Sequence, residues 1–231
     1  MKKLAIVLLM AAAGLSGKAM AADKPSVLVV LAPGFEEGET VEILDVVRCG
    51  GFPTDSVSIA GEMVPGAHNI TIKADKVLGN ELTQFKNYDM IVLPGGWTGV
   101  DNMLADERLL DLVRHYDQSG KFVAAMCAAP KVLAKADILK GKTMTAYPGK
   151  HTEPNYIDAN YVKDVVVIDG KLVTSRGLGT VLPFAFALVD VLGGDSAFIK
   201  ERFLYDEMKA CPTGKILRKT NNLFLRLAVR M

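Results

Sequence analysis

The 231-residue chain is poor in the residues that build several common kinds of site. It has three cysteines, Cys49, Cys127 and Cys211. Three is too few for a disulfide scaffold at this length, and an odd number leaves at least one thiol free or paired to another chain. Cys49 with Cys211 is a possible bridge. The three histidines, His68, His115 and His151, form no ligand cluster with the cysteines, so no metal centre is expected. Neither charge sign dominates: 27 Lys and Arg face 26 Asp and Glu. That balance gives no argument for nucleic acid as a partner. Repeats and low-complexity stretches are absent, so solenoids and disordered linkers drop out. One soluble domain with a full core fits the length and the 50% hydrophobic content.

The longest early apolar run is short. Lys2 and Lys3 precede an apolar segment at 4–14, and Ala19-Met20-Ala21 matches a small-x-small cleavage site. Such a run is too short to span a bilayer comfortably and reads as a signal peptide over 1–21, hence an exported protein, periplasmic or secreted. A retained anchor is the alternative.

What is present is a series of short apolar strands alternating with helices. Strands are predicted over 26–31, 55–60, 90–93, 122–126 and 143–146, with a weaker one at 70–74. Residues 165–168 and 172–174 flank Asp169-Gly170 as a hairpin. Helices are predicted over 39–48, 106–117, 131–139, 181–192 and 198–209. This alternation predicts an α/β sandwich around a mainly parallel sheet, with an α/β domain over 22–195. Residues 196–231 read as a helical basic extension. Its tail carries Lys215, Arg218, Lys219, Arg226 and Arg230 interleaved with apolar residues. It reads as a packed terminal helix, with docking on a partner or an anionic membrane surface as alternatives.

The stretch FVAAMCAAP at 122–130 joins a strand to a helix through Cys127. Ala125 and Ala129 stand two positions either side, where a nucleophile elbow needs small residues. Pro130 suits the first helical turn. A thiol at a helix N-terminus is expected to favour thiolate. The residues alone leave a plain buried cysteine open as well. In a parallel sheet, sites gather beyond the C-terminal strand ends. GFEEGET, PGG and Cys127 all fall there.

Four motifs in order, APGFEEGETV, DMIVLPGG, VAAMCAAP and TSRGLGT, resemble the DJ-1/ThiJ/PfpI superfamily, and its DJ-1/ThiJ branch most. The resemblance implies a flavodoxin-like fold, a homodimer, a reactive Cys127 and a protonated Glu39 that hydrogen-bonds it. A plain first-turn acid is the simpler reading of Glu39. By the same resemblance Gly95, Gly96 and the Ala128 amide form an oxyanion site, and the 176–180 loop lies nearby. The implied chemistry is cofactor-independent conversion of a small reactive carbonyl, a 2-oxoaldehyde such as methylglyoxal, to a hydroxy acid (a glyoxalase), or a deglycase acting on glycated protein. An oxidisable-cysteine stress sensor or chaperone is the second reading. A peptidase or amidase is the third, disfavoured because Ala128, not histidine, follows the cysteine. Tyr147 stands where the branch often has histidine, which removes a neutral-pH base from that place. His151 is close in sequence but reads as a solvated loop residue. His68 and Cys49 stand where anion-binding arginines are common.

Overall fold

The computed structural model describes residues 24–210. The expected signal peptide, Cys211 and the basic tail beyond it lie outside those residues.

The chain begins with β1 (Val27–Leu31), whose five side chains are all fully buried. A strand covered on both faces needs no polar alternation, and VLVVL has none. Then follow α1 (Glu37–Cys49), β2 (Thr54–Ser58), β3 (Met63–Pro65), β4 (Thr71–Lys73), β5 (Lys76–Val77), β6 (Met90–Leu93), α2 (Trp97–Ala105) and α3 (Glu107–Gln118). The second half has β7 (Phe122–Met126), α4 (Pro130–Lys135), β8 (Thr143–Met144), β9 (Asn160–Tyr161), β10 (Val166–Asp169), β11 (Leu172–Ser175), α5 (Val181–Val191), α6 (Ser196–Arg202) and α7 (Tyr205–Ala210).

Seven strands form one sheet in the order β10-β11-β7-β6-β1-β2-β5. Every neighbouring pair is parallel except β10 with β11. Val27 and Val29 face a core layer shared with Ile43 and Val47 of α1 and Phe184 and Leu188 of α5. Leu28 and Val30 face the opposite layer with Leu109, Val113 and Tyr116 of α3. The period-two geometry of one strand thus feeds both cores. This is the flavodoxin-like α/β sandwich expected.

Local details differ where one residue changes the backbone. The predicted helix over 131–139 stops at Lys135, because Asp137 takes φ 60°. The helix predicted over 198–209 is two, separated at Leu204, where φ is 54°. The boundary drawn at 195 falls on the N-cap of α6, whose Asp195 side chain accepts the Ala197 amide. Ile199 and Tyr205 continue the core layer of α5. The 143–146 strand is shorter and pairs outside the main sheet, as β8 with β9. The 70–74 strand is β4, which pairs with β3 as a separate hairpin. Helix α2 (Trp97–Ala105) was not expected. Gly99 is helical: a Cβ there would lie 2.8 Å from the Phe35 amide nitrogen, so the glycine permits close packing.

Candidate active site

Because β1, β6, β7 and β11 run parallel and adjacent, their C-terminal ends open on one edge of the sheet. The loops leaving them carry Glu36 to Glu39, Gly95 and Gly96, Cys127, and Gly177. Four segments far apart in sequence meet there.

Cys127 follows β7 directly and takes φ 58°. A left-handed conformation costs a non-glycine residue about 1 kcal/mol, so the surroundings must hold it. The Cys127 amide donates to Ser175 O at 3.1 Å, and its carbonyl accepts the Tyr147 amide at 2.8 Å. Ala128 and Ala129 are buried immediately behind it, and Pro130 opens α4. Larger residues would crowd this bend.

Glu39 lies in the first turn of α1 and is 1% exposed. Glu36 caps that turn, its carboxylate accepting the Glu39 amide at 2.6 Å. Glu39 Oε2 accepts the Gly95 amide at 2.8 Å. Its Oε1 is buried with no partner of strict hydrogen-bond geometry, and the neighbouring Cys127 thiol interacts with the carboxyl. Burial raises Glu39 from 4.5 to about 7, against the opposing pull of the Gly95 amide and the thiol; the Glu36 charge adds to the rise. Burial likewise pushes the Cys127 thiol up, and the Glu39 charge pushes it further. The amides of Ala128 and Gly96 pull it down without reversing the direction. Burial and the Glu39 charge thus oppose the thiolate that a helix N-terminus favours, and α4, with six residues, is short. A buried carboxyl and a partly buried thiol this close resist double ionisation, so above Glu39's titration the pair holds one proton. Thiol–carboxylate and thiolate–carboxylic acid are two arrangements of that one state.

The expected amide donors divide into two roles. Gly96 and Ala128 face the sulfur. Gly95 does not, because its N–H is committed to Glu39. Glycine at 96 is required twice: φ is 98°, and a Cβ would lie 2.4 Å from Gly34 O.

The remaining candidates scatter. Tyr147 is at the site: a Cβ built on Gly177 would lie 3.4 Å from its ring and 4.0 Å from Cys127 Sγ. Trp97, which sequence reasoning missed, packs edge-to-face on Tyr147 with centroids 5.5 Å apart. His151 approaches Trp97 at 6.4 Å. Trp97 follows Gly96 directly, and that adjacency to PGG was its available signal. Cys49 ends α1, ten residues beyond Glu39, which places it about 15 Å away along the helix. It packs against the α5 core layer and is no part of the site.

His68 is not free to bind an anion. Its Nδ1 lies 2.9 Å from Glu37 Oε2, and its amide donates to Oε1 at 2.5 Å. The Glu37 hydrogen bond raises the imidazole's pKa. Burial opposes ionisation of Glu37, but the His68 side chain and amide and the Ile70 amide outweigh it and lower its pKa. Ligand atoms of Glu36, Glu37 and His68 lie within 4.8 Å of one another, a cluster the sequence did not suggest. Its carboxylates are already engaged, Glu36 in capping Glu39 and Glu37 in holding the 66–70 turn.

This architecture, with a cysteine on the β7 elbow and a buried glutamate opposite, coincides with sequence similarity. Residues 25–191 match the DJ-1/PfpI family, and the chain belongs to it. It is 38% identical over 173 residues to protein dj-1beta of Drosophila melanogaster, covering 73% of this chain and 90% of that protein. The crystal structure of Drosophila melanogaster DJ-1beta superposes with a TM-score of 0.72 at 36% identity, covering 78% of this chain and 98% of that one. A Caenorhabditis elegans relative named glutathione-independent glyoxalase DJR-1.2 is 32% identical over 180 residues, covering 76% of this chain and 92% of that protein.

Proposed function

We propose that the protein is a cysteine enzyme that converts small 2-oxoaldehydes to 2-hydroxy acids, with methylglyoxal and lactate as the simplest pair. The supporting observation is the Glu39–Cys127 pair, a buried carboxyl set against a partly buried thiol, with the carboxyl raised to about 7. A glyoxalase name on a family relative points the same way.

The pair's groups account for each step. Cys127 passes its proton to Glu39, and the sulfur adds to the aldehyde carbon, C1. Glu39 returns the proton to the new alkoxide, giving a hemithioacetal, with the Gly96 and Ala128 amides facing the developing charge. The Glu39 carboxylate then removes the hydrogen on C1 and delivers it to C2, while the proton of the C1 hydroxyl passes to the C2 oxygen. C1 is oxidised by two electrons and C2 reduced by two, so no external oxidant or reductant enters. The product is a thioester, which water hydrolyses to the hydroxy acid and the free thiol. A carboxyl titrating near 7 suits both the donor and the acceptor role. The test is lactate formation from methylglyoxal by purified protein without added thiol or nucleotide. Methylglyoxal loss without lactate would oppose the reading.

A second reading draws on the same two amides. Peroxide would oxidise the Cys127 thiolate to sulfenate and then sulfinate, releasing one water at each step. The Gly96 and Ala128 N–H groups suit the resulting anion. Selective gain of two oxygens at Cys127, with no aldehyde turnover, would favour it. We also propose, from the sequence pattern and the resemblance alone, export through residues 1–21 and a homodimer. N-terminal sequencing of the mature protein and sedimentation test these two.

A further inference from the structure

The reaction proposed above needs only the C1–C2 unit of the substrate, and what surrounds the rest of the substrate decides which aldehyde is used. One wall beside the thiol is aromatic. Trp97 is the chain's sole tryptophan, and it is 47% exposed at the start of α2. Its ring meets Tyr147 at 5.5 Å and 80° and His151 at 6.4 Å and 78°. Three rings held edge-to-face make a wall fixed from two sides. The backbone holds it beside the sulfur: Trp97 follows Gly96, whose amide faces Cys127, and the Tyr147 amide donates to the Cys127 carbonyl.

The gap between wall and thiol is left by Gly177. A Cβ there would stand 3.4 Å from the Tyr147 ring and 4.0 Å from Sγ. Ring and sulfur therefore both lie within 4.0 Å of one point that carries no side chain. A substituent on a carbonyl carbon bonded to Sγ, directed through that gap, meets the aromatic wall. A methyl group covers little of such a surface. A flat ring covers much more and gains the edge or offset-face geometry that aromatic pairs favour.

We infer that the substrate class of this site is the aryl-substituted 2-oxoaldehydes, with Trp97 and Tyr147 as specificity-determining residues for the aryl group. The inference rests on the 2-oxoaldehyde reading, with phenylglyoxal and its product mandelate as the probes.

Trp97 reports its own occupancy. In Cys127→Ser, which removes turnover, mandelate and lactate are titrated against tryptophan fluorescence. They share the 2-hydroxy acid group and differ in phenyl against methyl. An aromatic contact predicts mandelate binding about two- to tenfold more tightly than lactate, with a change in Trp97 emission. In the cysteine-containing protein, Trp97→Ala lowers the phenylglyoxal-to-methylglyoxal ratio of kcat/KM by a similar factor, and Trp97→Phe retains most of it. Equal affinities for the two acids, or mandelate binding without a change in Trp97 emission, overturns the inference. If no aldehyde is converted at all, the glyoxalase reading fails, and the fluorescence titration still decides whether the wall holds an aryl group.

Discussion

Glu39 Oε2 accepts the Gly95 amide at 2.8 Å, and this bond fixes where the carboxyl stands relative to Cys127. It joins the first turn of α1 to the loop after β6, and the same loop supplies the Gly96 amide to the sulfur. Substitution at Gly95 tests this directly. A Cβ there would lie 2.5 Å from Cys127 Cβ and 2.7 Å from Glu39 Oε2, closer than real atoms approach. Gly95→Ala is expected to lower kcat/KM by about a hundredfold, the scale of an ångström misplacement of a reacting group. Steady-state assays on a variant with wild-type circular dichroism check it.

The pH dependence follows from the pair's shared proton. Below Glu39's titration both groups are protonated, and no base accepts the thiol hydrogen. As the carboxyl ionises near 7, the one-proton state forms. The kcat/KM for methylglyoxal is therefore expected to rise through a single ionisation near pH 7 and then level off. A profile flat from pH 5 to 8 would contradict this role for Glu39.

Burial of Glu39 also costs stability. Its carboxyl titrates near 4.5 unfolded and about 7 folded. Between those values the folded state holds a proton that the unfolded chain has released, so stability falls as pH rises. The full loss, roughly 3 kcal/mol, is present above pH 7. Glu39→Gln keeps an acceptor for the Gly95 amide without the charge. It is expected to be more stable than wild type at pH 8 in urea melts, and nearly equal at pH 4.5.

Glu37 ties the turn between β3 and β4 to α1 through three bonds to His68 and Ile70. Its lowered pKa means the tether is lost as pH falls through that value. The raised pKa of His68 means the charged pairing is lost as pH rises through its folded value. Amide exchange at 66–70 should be slowest in the mildly acidic window between them. Glu37→Gln should speed exchange there without altering the β1 amides.

The sequence made the parallel frame and the elbow legible, because VLVVL, MIVL and FVAAM can only be buried strands and each ends in turn residues. Cys127 was reachable because it follows a strand that had been placed, whereas the roles of Glu39 and Gly96 came only through the family resemblance. Gly95 was misassigned because adjacent glycines look alike in sequence, whereas their N–H groups point to different acceptors. His68 was placed by alignment toward the site, but it is bonded to Glu37, a long-range contact that no local pattern encodes. Trp97 escaped notice because three glycines between 95 and 99 masked α2. The burial that opposes ionisation of the thiol had no signal in the sequence, because it exists only once the layers pack around Cys127.

The most direct test is the rate of lactate formation from methylglyoxal by wild-type protein, Cys127→Ser and Glu39→Gln, assayed together at pH 7.5. Lactate is expected to match the methylglyoxal consumed by wild type, with background rates for both variants. Lactate formation by Cys127→Ser at the wild-type rate would contradict it.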